Sequence, residues 1–165
     1  MQCRPELIER TYESVDGARR AIVHFYNSTS VLQRRVVFGL DKDGITDMAV
    51  NAARLCRKLE DTLPATEIRY EYSPESFTGT EIDYSLEICS AVMDVIEPRP
   101  ERPIILNMPA TVEMSTPNVY ADLIEYFHRH IPNRDSVGAQ PASPQRPRLR
   151  GRRRRARRHG RRRPG

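Results

Sequence analysis

The stretch PIILNMPATVEMSTPNVYADLIEYFHRHI, residues 103–131, contains a strand pattern, a polar turn and a helix pattern in succession. Residues 103–108 are mostly apolar and include two β-branched isoleucines, which is typical of a buried strand. Pro117 follows Ser115 and Thr116, a place where a helix can begin because the amide that proline lacks has no partner in a first turn. Apolar side chains then recur at helical spacing, at Tyr120, Ile124, Phe127 and Ile131. The stretch therefore predicts one strand followed by one helix.

Two earlier segments repeat this order. Residues 21–26 (AIVHFY) and 67–72 (EIRYEY) predict buried strands. After the first, Thr46 is predicted to cap a helix. The apolar face of that helix is predicted to be Met48, Ala52, Leu55 and Leu59. A further helix is expected around residues 5–19, before the first strand.

The helix after the second strand is predicted to begin in a capping box that runs from Thr78 to Glu81. Its inward face is predicted to be Ile82, Leu86, Cys89, Met93 and Ile96. Strand and helix thus alternate about every 40 residues, which predicts right-handed crossovers and a parallel sheet. The α/β class follows, but this period does not distinguish a barrel from an open doubly wound sheet. Residues 134–137 are expected to approach a fourth strand that does not follow.

Charge is distributed unevenly along the chain. It has 27 Lys and Arg against 22 Asp and Glu, yet residues 140–165 alone contain 12 arginines and no acid. The remainder, with 15 basic and 22 acidic residues, is acidic. The three cysteines show no metal-ligand spacing, and no apolar run approaches the roughly 20 residues that span a bilayer. A reduced cytoplasmic protein without a membrane segment is expected.

Polar side chains stand at the ends of all three predicted strands. The clusters are His24 with Tyr26 and Asn27, Ser73 with Glu75, and Asn107 with Thr111. Each has an ordinary structural explanation, such as a hydrogen-bonded histidine or a capped turn. In parallel α/β proteins, however, functional groups collect beyond the carboxyl ends of the strands. The coincidence of three such ends favours a site for a ligand that bears a carboxylate or carbonyl group.

Three long stretches resemble consecutive strand-loop units of the 2-isopropylmalate synthases, in the same order and spacing. They are FYNSTSVLQRRVVF (residues 25–38), EYSPESFTGTE (residues 71–81) and RPIILNMPATVEMSTPNVYAD (residues 102–122). Homocitrate synthases share the barrel but match the third stretch less closely. The resemblance implies that residues 1–137 are part of a pyruvate carboxyltransferase-like catalytic domain, about three βα units of a partial (β/α)8 TIM barrel. A closed barrel needs about 250 residues, so exposed sheet edges and an unstable or aggregating isolated chain are expected.

The resemblance also implies a reaction. In that family 2-oxoisovalerate binds a divalent metal (Zn, Mn or Mg), and a base removes a proton from the methyl group of acetyl-CoA. The enolate attacks the ketone, and thioester hydrolysis releases 2-isopropylmalate and CoA, a step of leucine biosynthesis. Family members are homodimers.

Four residues take family roles by the same resemblance. Glu75 is implied to be a catalytic or substrate-positioning carboxylate, and His24 and Thr111 are implied to hydrogen-bond the keto acid. Ser73 is implied to line the side-chain pocket. The family's metal ligands lie in two motifs that would fall before Met1 and after Val137, and neither is present. The expectation is a fragment that binds no metal and is inactive.

Residues 138–165 form a basic tail with no hydrophobic period, so disorder is predicted. One interpretation is an arm that binds nucleic acids without specificity. The other is out-of-frame translation. With suitable third bases, reading the codons from Gln140 one nucleotide later gives SLHPHNDRG, which contains the family's metal-ligand motif. The nucleotide sequence encoding residues 142–147 separates the two interpretations.

Overall fold

The computed structural model describes residues 1–142, which fold into alternating helices and strands. In chain order they are α1 (Pro5–Val15), β1 (Arg20–Ser28), α2 (Val31–Gln33), α3 (Lys42–Glu60), β2 (Glu67–Glu75), α4 (Ile82–Ile96), β3 (Ile104–Pro109), α5 (Pro117–His130) and β4 (Val137–Ala142). Between them lie a π-helical turn, Arg34–Phe38, and 3₁₀ turns at Phe77–Gly79 and Arg134–Ser136. Residues 143–165, most of the tail for which disorder was predicted, lie outside the described residues. None of the helices within residues 1–142 is both long and apolar enough to cross a bilayer.

The four strands form one parallel sheet in the order β1-β2-β3-β4. Each strand lies next to its neighbour in sequence, because a helical crossover returns the chain to the adjacent position. The α/β class and the partial barrel are confirmed. All three predicted strands are present, although β1 and β2 run two or three residues farther toward their carboxyl ends than predicted.

A fourth strand is present, so the prediction that none would follow residues 134–137 was wrong. β4 pairs with β3 in parallel, with Val137 opposite Ile104 and Ala142 opposite Pro109. Ladder hydrogen bonds use backbone groups, so an extended segment can pair even where its side chains give no strand pattern. Residues 138–142, predicted to belong to the disordered tail, are therefore part of the sheet.

One face of the sheet is covered by helices and contains the core. Its side chains are fully or almost fully buried: Val23, Phe25, Ile68, Tyr70, Tyr72, Ile104, Leu106 and Met108. Helices α3 and α4 pack there through Ile45, Ala49, Cys56, Ile88, Cys89 and Val92. Cys3, Cys56 and Cys89 are buried free thiols. We call this side the covered face.

The opposite face has no covering layer among the described residues, and we call it the open face. On β1 it presents Ile22, His24, Tyr26 and Ser28, all partly or largely exposed. Ile22 is 57% exposed. In a complete barrel this side would face the interior, so the expected exposure of the would-be core is observed. At the outer edge of β1, Gln2 forms a parallel bridge with Tyr26.

The helices predicted at the two ends of the chain are confirmed. Helix α1 begins at Pro5, as expected, and ends at Val15 rather than near residue 19. Helix α5 begins at Pro117 and follows the N-cap residue Thr116. Phe127 is fully buried on the predicted inner face of α5.

The predicted cap of α3 was wrong. The helix begins at Lys42, and the Asp41 carboxylate, not Thr46, caps it by accepting a hydrogen bond from the Gly44 amide at 2.9 Å. Asp is a stronger N-cap than Thr, and Asp41 lies just ahead of the helix. The inner face also differs from the predicted one, although Ala52 belongs to both. It consists of Ile45, Ala49, Ala52, Ala53 and Cys56, while Met48, Leu55 and Leu59 are only partly buried.

The predicted capping box before α4 was also wrong. Thr78 lies in a 3₁₀ turn and its hydroxyl donates to the Val112 carbonyl. Glu81 is the N-cap residue, without a side-chain cap, and its carboxylate is paired with Arg34 instead. Of the predicted inner face, Cys89, Met93 and Ile96 are buried, whereas Ile82 and Leu86 are only partly so.

Candidate functional site

The carboxyl ends of β1 and β2 place a row of polar side chains on the open face. Strand register sets His24 opposite Glu71 and Ser28 opposite Glu75. Since side chains two apart on a strand share a face, Ser73 lies between the two glutamates on the same side. The site therefore sits where parallel α/β proteins usually bind ligands.

A chain of hydrogen bonds joins three neighbouring strands. Asn107 Nδ2 donates to Ser73 Oγ at 2.9 Å. Ser73 Oγ lies 2.7 Å from His24 Nε2. Because the serine oxygen already accepts one bond, the simplest arrangement has its hydroxyl donating to His24. The structure thus brings together His24 and Ser73, two of the four residues predicted to contact a substrate, and adds Asn107.

The surroundings of His24 favour its neutral form. Burial lowers the pKa of its imidazole, and the nearby carboxylate of Glu71 opposes that shift only in part. His24 Nδ1 lies 3.7 Å from Glu71 Oε1. A neutral ring that accepts from Ser73 at Nε2 carries its proton on Nδ1, facing Glu71. The Tyr26 ring, 5.9 Å from the imidazole between ring centres, borders the same space.

Both the side chain and the backbone carbonyl of Glu75 accept hydrogen bonds. The Ser28 hydroxyl donates to Glu75 Oε2 at 2.9 Å. The backbone carbonyl of Glu75 accepts from the Thr29 amide at 3.1 Å and from the Thr29 hydroxyl at 3.2 Å. The carboxylate is half-buried, with Oε2 fixed by one donor. Such an arrangement suits a group that moves a proton or orients a ligand.

Asn27 does not belong to the site, contrary to the prediction that grouped it with His24. Its side chain is on the covered face, where Nδ2 donates to the Ile45 carbonyl at 3.0 Å and Oδ1 accepts from Tyr72 at 2.7 Å. Alternation along the strand requires this, because residues 24 and 27 differ in parity. Asn27 is a buried amide with a structural role.

Thr111 lies apart from the cluster in this structure. It is exposed in the loop that follows β3 and shares no hydrogen bond with His24, Ser73 or Glu75. Its predicted contact with the keto acid stays a prediction. Asn107, in contrast, has a buried Oδ1 atom that accepts no hydrogen bond from the described residues.

Sequence reasoning missed Ser28 and Glu71. Both share strand parity with residues already singled out, Ser28 with His24 and Glu71 with Ser73. Applying the two-residue alternation outward from those side chains would have found them. It would also have excluded Asn27.

The divalent metal implied by the family resemblance has no fitting set of ligands here. Across residues 1–142, no three His, Cys, Asp or Glu side chains are grouped so that they could hold an ion. In the site, His24 lies 3.7 Å from Glu71 and forms a hydrogen bond with Ser73.

Comparison with known proteins gives one consistent result. Three 2-isopropylmalate synthases align over 136 residues, 82% of this chain. They are those of Kineococcus radiotolerans (65% identical), Pseudarthrobacter chlorophenolicus (63%) and Clavibacter michiganensis (62%). The chain spans only about a quarter of their length, 23–24%. The resemblance drawn from the sequence is confirmed. The family model described as HMGL-like matches residues 1–140, and the chain belongs to that family.

Proposed function

We propose that this chain supplies keto-acid contacts of the 2-isopropylmalate synthase reaction, the condensation of acetyl-CoA with 2-oxoisovalerate. The observation that carries the proposal is the hydrogen-bonded row from Asn107 through Ser73 to His24, beside Glu75, at three adjacent strand ends. A 2-oxo acid presents a carboxylate and a ketone, which need several donors at fixed positions.

The roles of the residues follow from their chemistry. With Nε2 of neutral His24 accepting from Ser73, its Nδ1–H is the group proposed to donate to a keto-acid oxygen. Ser73 borders the ligand's side chain, and Thr111 is proposed as a hydroxyl donor from the loop after β3. Glu75 is proposed to take a proton from the acetyl-CoA methyl group. The carbanion then forms a bond to the ketone carbon, and the ketone oxygen takes up a proton to become a hydroxyl. Water cleaves the thioester, which leaves a carboxylate and releases CoA as the thiol.

We further propose that the chain by itself releases no CoA. Polarising the ketone is the task that the family gives to a metal, and residues 1–142 offer no three-ligand set for one. Acetyl-CoA as cosubstrate, a homodimeric family state and a cytoplasmic location are part of the same proposal.

A ligand titration tests the binding part. We expect 2-oxoisovalerate to shift the NMR resonances of His24, Ser73 and Asn107 at millimolar concentrations, and Ser73→Ala to weaken this binding about tenfold through loss of the central hydroxyl. Isovalerate, which lacks the ketone, is the control ligand and should bind more weakly. No shifts at these three residues with 2-oxoisovalerate would refute the proposal. Steady release of CoA from both substrates would refute the proposed inactivity.

A further inference from the structure

Arg34 is a buried arginine outside the proposed substrate contacts. It is 6% exposed and lies at the start of the π-helical turn after β1. Its guanidinium donates to both carboxylate oxygens of Glu81, at 2.8 and 2.9 Å, and its carbon lies 4.9 Å from the centre of the Tyr84 ring. Burying a cation costs free energy unless its N–H groups find acceptors. The two parallel bonds to Glu81 use the forked shape of the guanidinium, which lysine lacks.

The same guanidinium holds the backbone at the end of β1. Arg34 Nη1 donates to the Thr29 carbonyl at 2.9 Å. Thr29 in turn binds the Glu75 carbonyl through its amide and its hydroxyl, and that hydroxyl lies 2.8 Å from Thr80 Oγ1. A continuous path of hydrogen bonds thus runs from Arg34 to the backbone of Glu75.

The side chain of Glu75 depends on the same piece of chain. Ser28, whose hydroxyl donates to Glu75 Oε2, directly precedes Thr29. The carbonyl that Arg34 holds and the amide and hydroxyl that bind Glu75 belong to the same residue, so a displacement of Thr29 would move those donors and the adjoining Ser28. Ser76, the next residue after Glu75, has φ of +61°, a left-handed conformation that the surroundings must hold in place for a residue with a side chain.

We propose that Arg34, through its pairing with Glu81, is a positioning residue for the Glu75 carboxylate. The proposal rests on the function proposed for Glu75 and extends it to a residue 41 positions away in the sequence. The ion pair alone is weak evidence for stability, since the Glu81 side chain is 41% exposed and a partly exposed pair contributes little. Arg34 also donates to the Thr29 carbonyl, and an apolar side chain at position 34 could not provide that bond.

Arg34 and Glu81 both stay charged at neutral and mildly acidic pH. Hydrogen bonding from Arg34 lowers the pKa of Glu81 to about 2. The fork therefore stays intact at neutral and mildly acidic pH, as a positioning contact requires.

The test compares Arg34→Gln with Arg35→Gln, a matched change in the neighbouring, exposed arginine. In the full 165-residue chain without ligand, the side-chain carboxyl carbon resonance of Glu75 is followed by NMR and assigned with Glu75→Gln. We expect Arg34→Gln to move this resonance by more than its line width. Glu71, on the same strand and face, should keep its resonance, and Arg35→Gln should move neither.

A second variant guards against misfolding. Arg34→Lys keeps the charge but loses the fork, so it should give an intermediate displacement. An unchanged Glu75 resonance in both Arg34 variants would overturn the proposal. Equal displacement of Glu71 and Glu75 would also overturn it, because that would indicate general loosening.

Measuring 2-oxoisovalerate binding separates the positioning role of Arg34 from the proposed function on which it rests. We expect Arg34→Gln to weaken 2-oxoisovalerate binding less than Ser73→Ala does, because Glu75 is not among the proposed keto-acid contacts. If the unsubstituted chain binds no keto acid, the proposed function fails. The ligand-free displacement of Glu75 would still support or refute the positioning role.

Discussion

The two faces of the sheet are built from the same strands and differ in what covers them. On β1, Phe25 is fully buried under the helices, whereas its neighbour Tyr26 is half-buried on the open face. On β2, Tyr72 is fully buried and Ser73 faces the candidate site. The comparison shows how one strand serves two purposes. Alternate residues provide the apolar burial that holds the sheet against α3 and α4, and the residues between them are free to be chosen for chemistry.

A matched pair of aromatic substitutions tests this division and should give the largest effect. Phe25→Ala removes a fully buried ring and should lower the free energy of unfolding by about 3–5 kcal/mol. Tyr26→Ala removes a ring of similar size from the open face and should cost clearly less, about 1 kcal/mol. Urea denaturation of both variants measures the difference. Equal losses would mean that the open face is packed in solution.

The pH dependence of stability should show a smaller effect on the open face. Burial lowers the pKa of His24 below its ordinary 6.5, so the unfolded chain takes up a proton first as the pH falls. The free energy of unfolding should therefore decrease from about pH 7 toward pH 5, with the His24 contribution fully present above 6.5. His24→Gln should have a shallower slope in this window. His128, whose pKa is also lowered by burial, is common to both proteins and cancels in the comparison. Parallel slopes would show that His24 is solvated.

Ile22→Ser should have the smallest effect. Ile22 is 57% exposed on the open face, so its replacement should change the free energy of unfolding by less than about 0.5 kcal/mol. Val23→Ser, one residue along on the covered face, is the matched control and should be strongly destabilising because Val23 is fully buried. A loss above about 1.5 kcal/mol for Ile22→Ser would show that another chain covers this face.

Local sequence was sufficient for the elements and for part of the site. Apolar β-branched runs and four-residue spacings identify β1 to β3 and α5, because each pattern depends on neighbours within one turn or one pleat. The rule that parallel strands bind ligands at their carboxyl ends then selected His24, Ser73 and Glu75, and the structure brings these onto one face. The resemblance to 2-isopropylmalate synthases came from the same residues and is confirmed.

Features that need distant partners were decided by the tertiary structure. Alternation alone does not say which parity the helices will cover, although it does separate Asn27 from His24 on β1. The capping box failed because Glu81 finds Arg34, 47 residues away, rather than the amide nearby. The fourth strand forms because β3 offers a free edge of backbone donors and acceptors. The sequence by itself thus determined the alternating elements and the chemistry at the strand ends. Only the folded chain decided which face is open and how Arg34 and Glu75 are connected, because those contacts join residues that no local pattern relates.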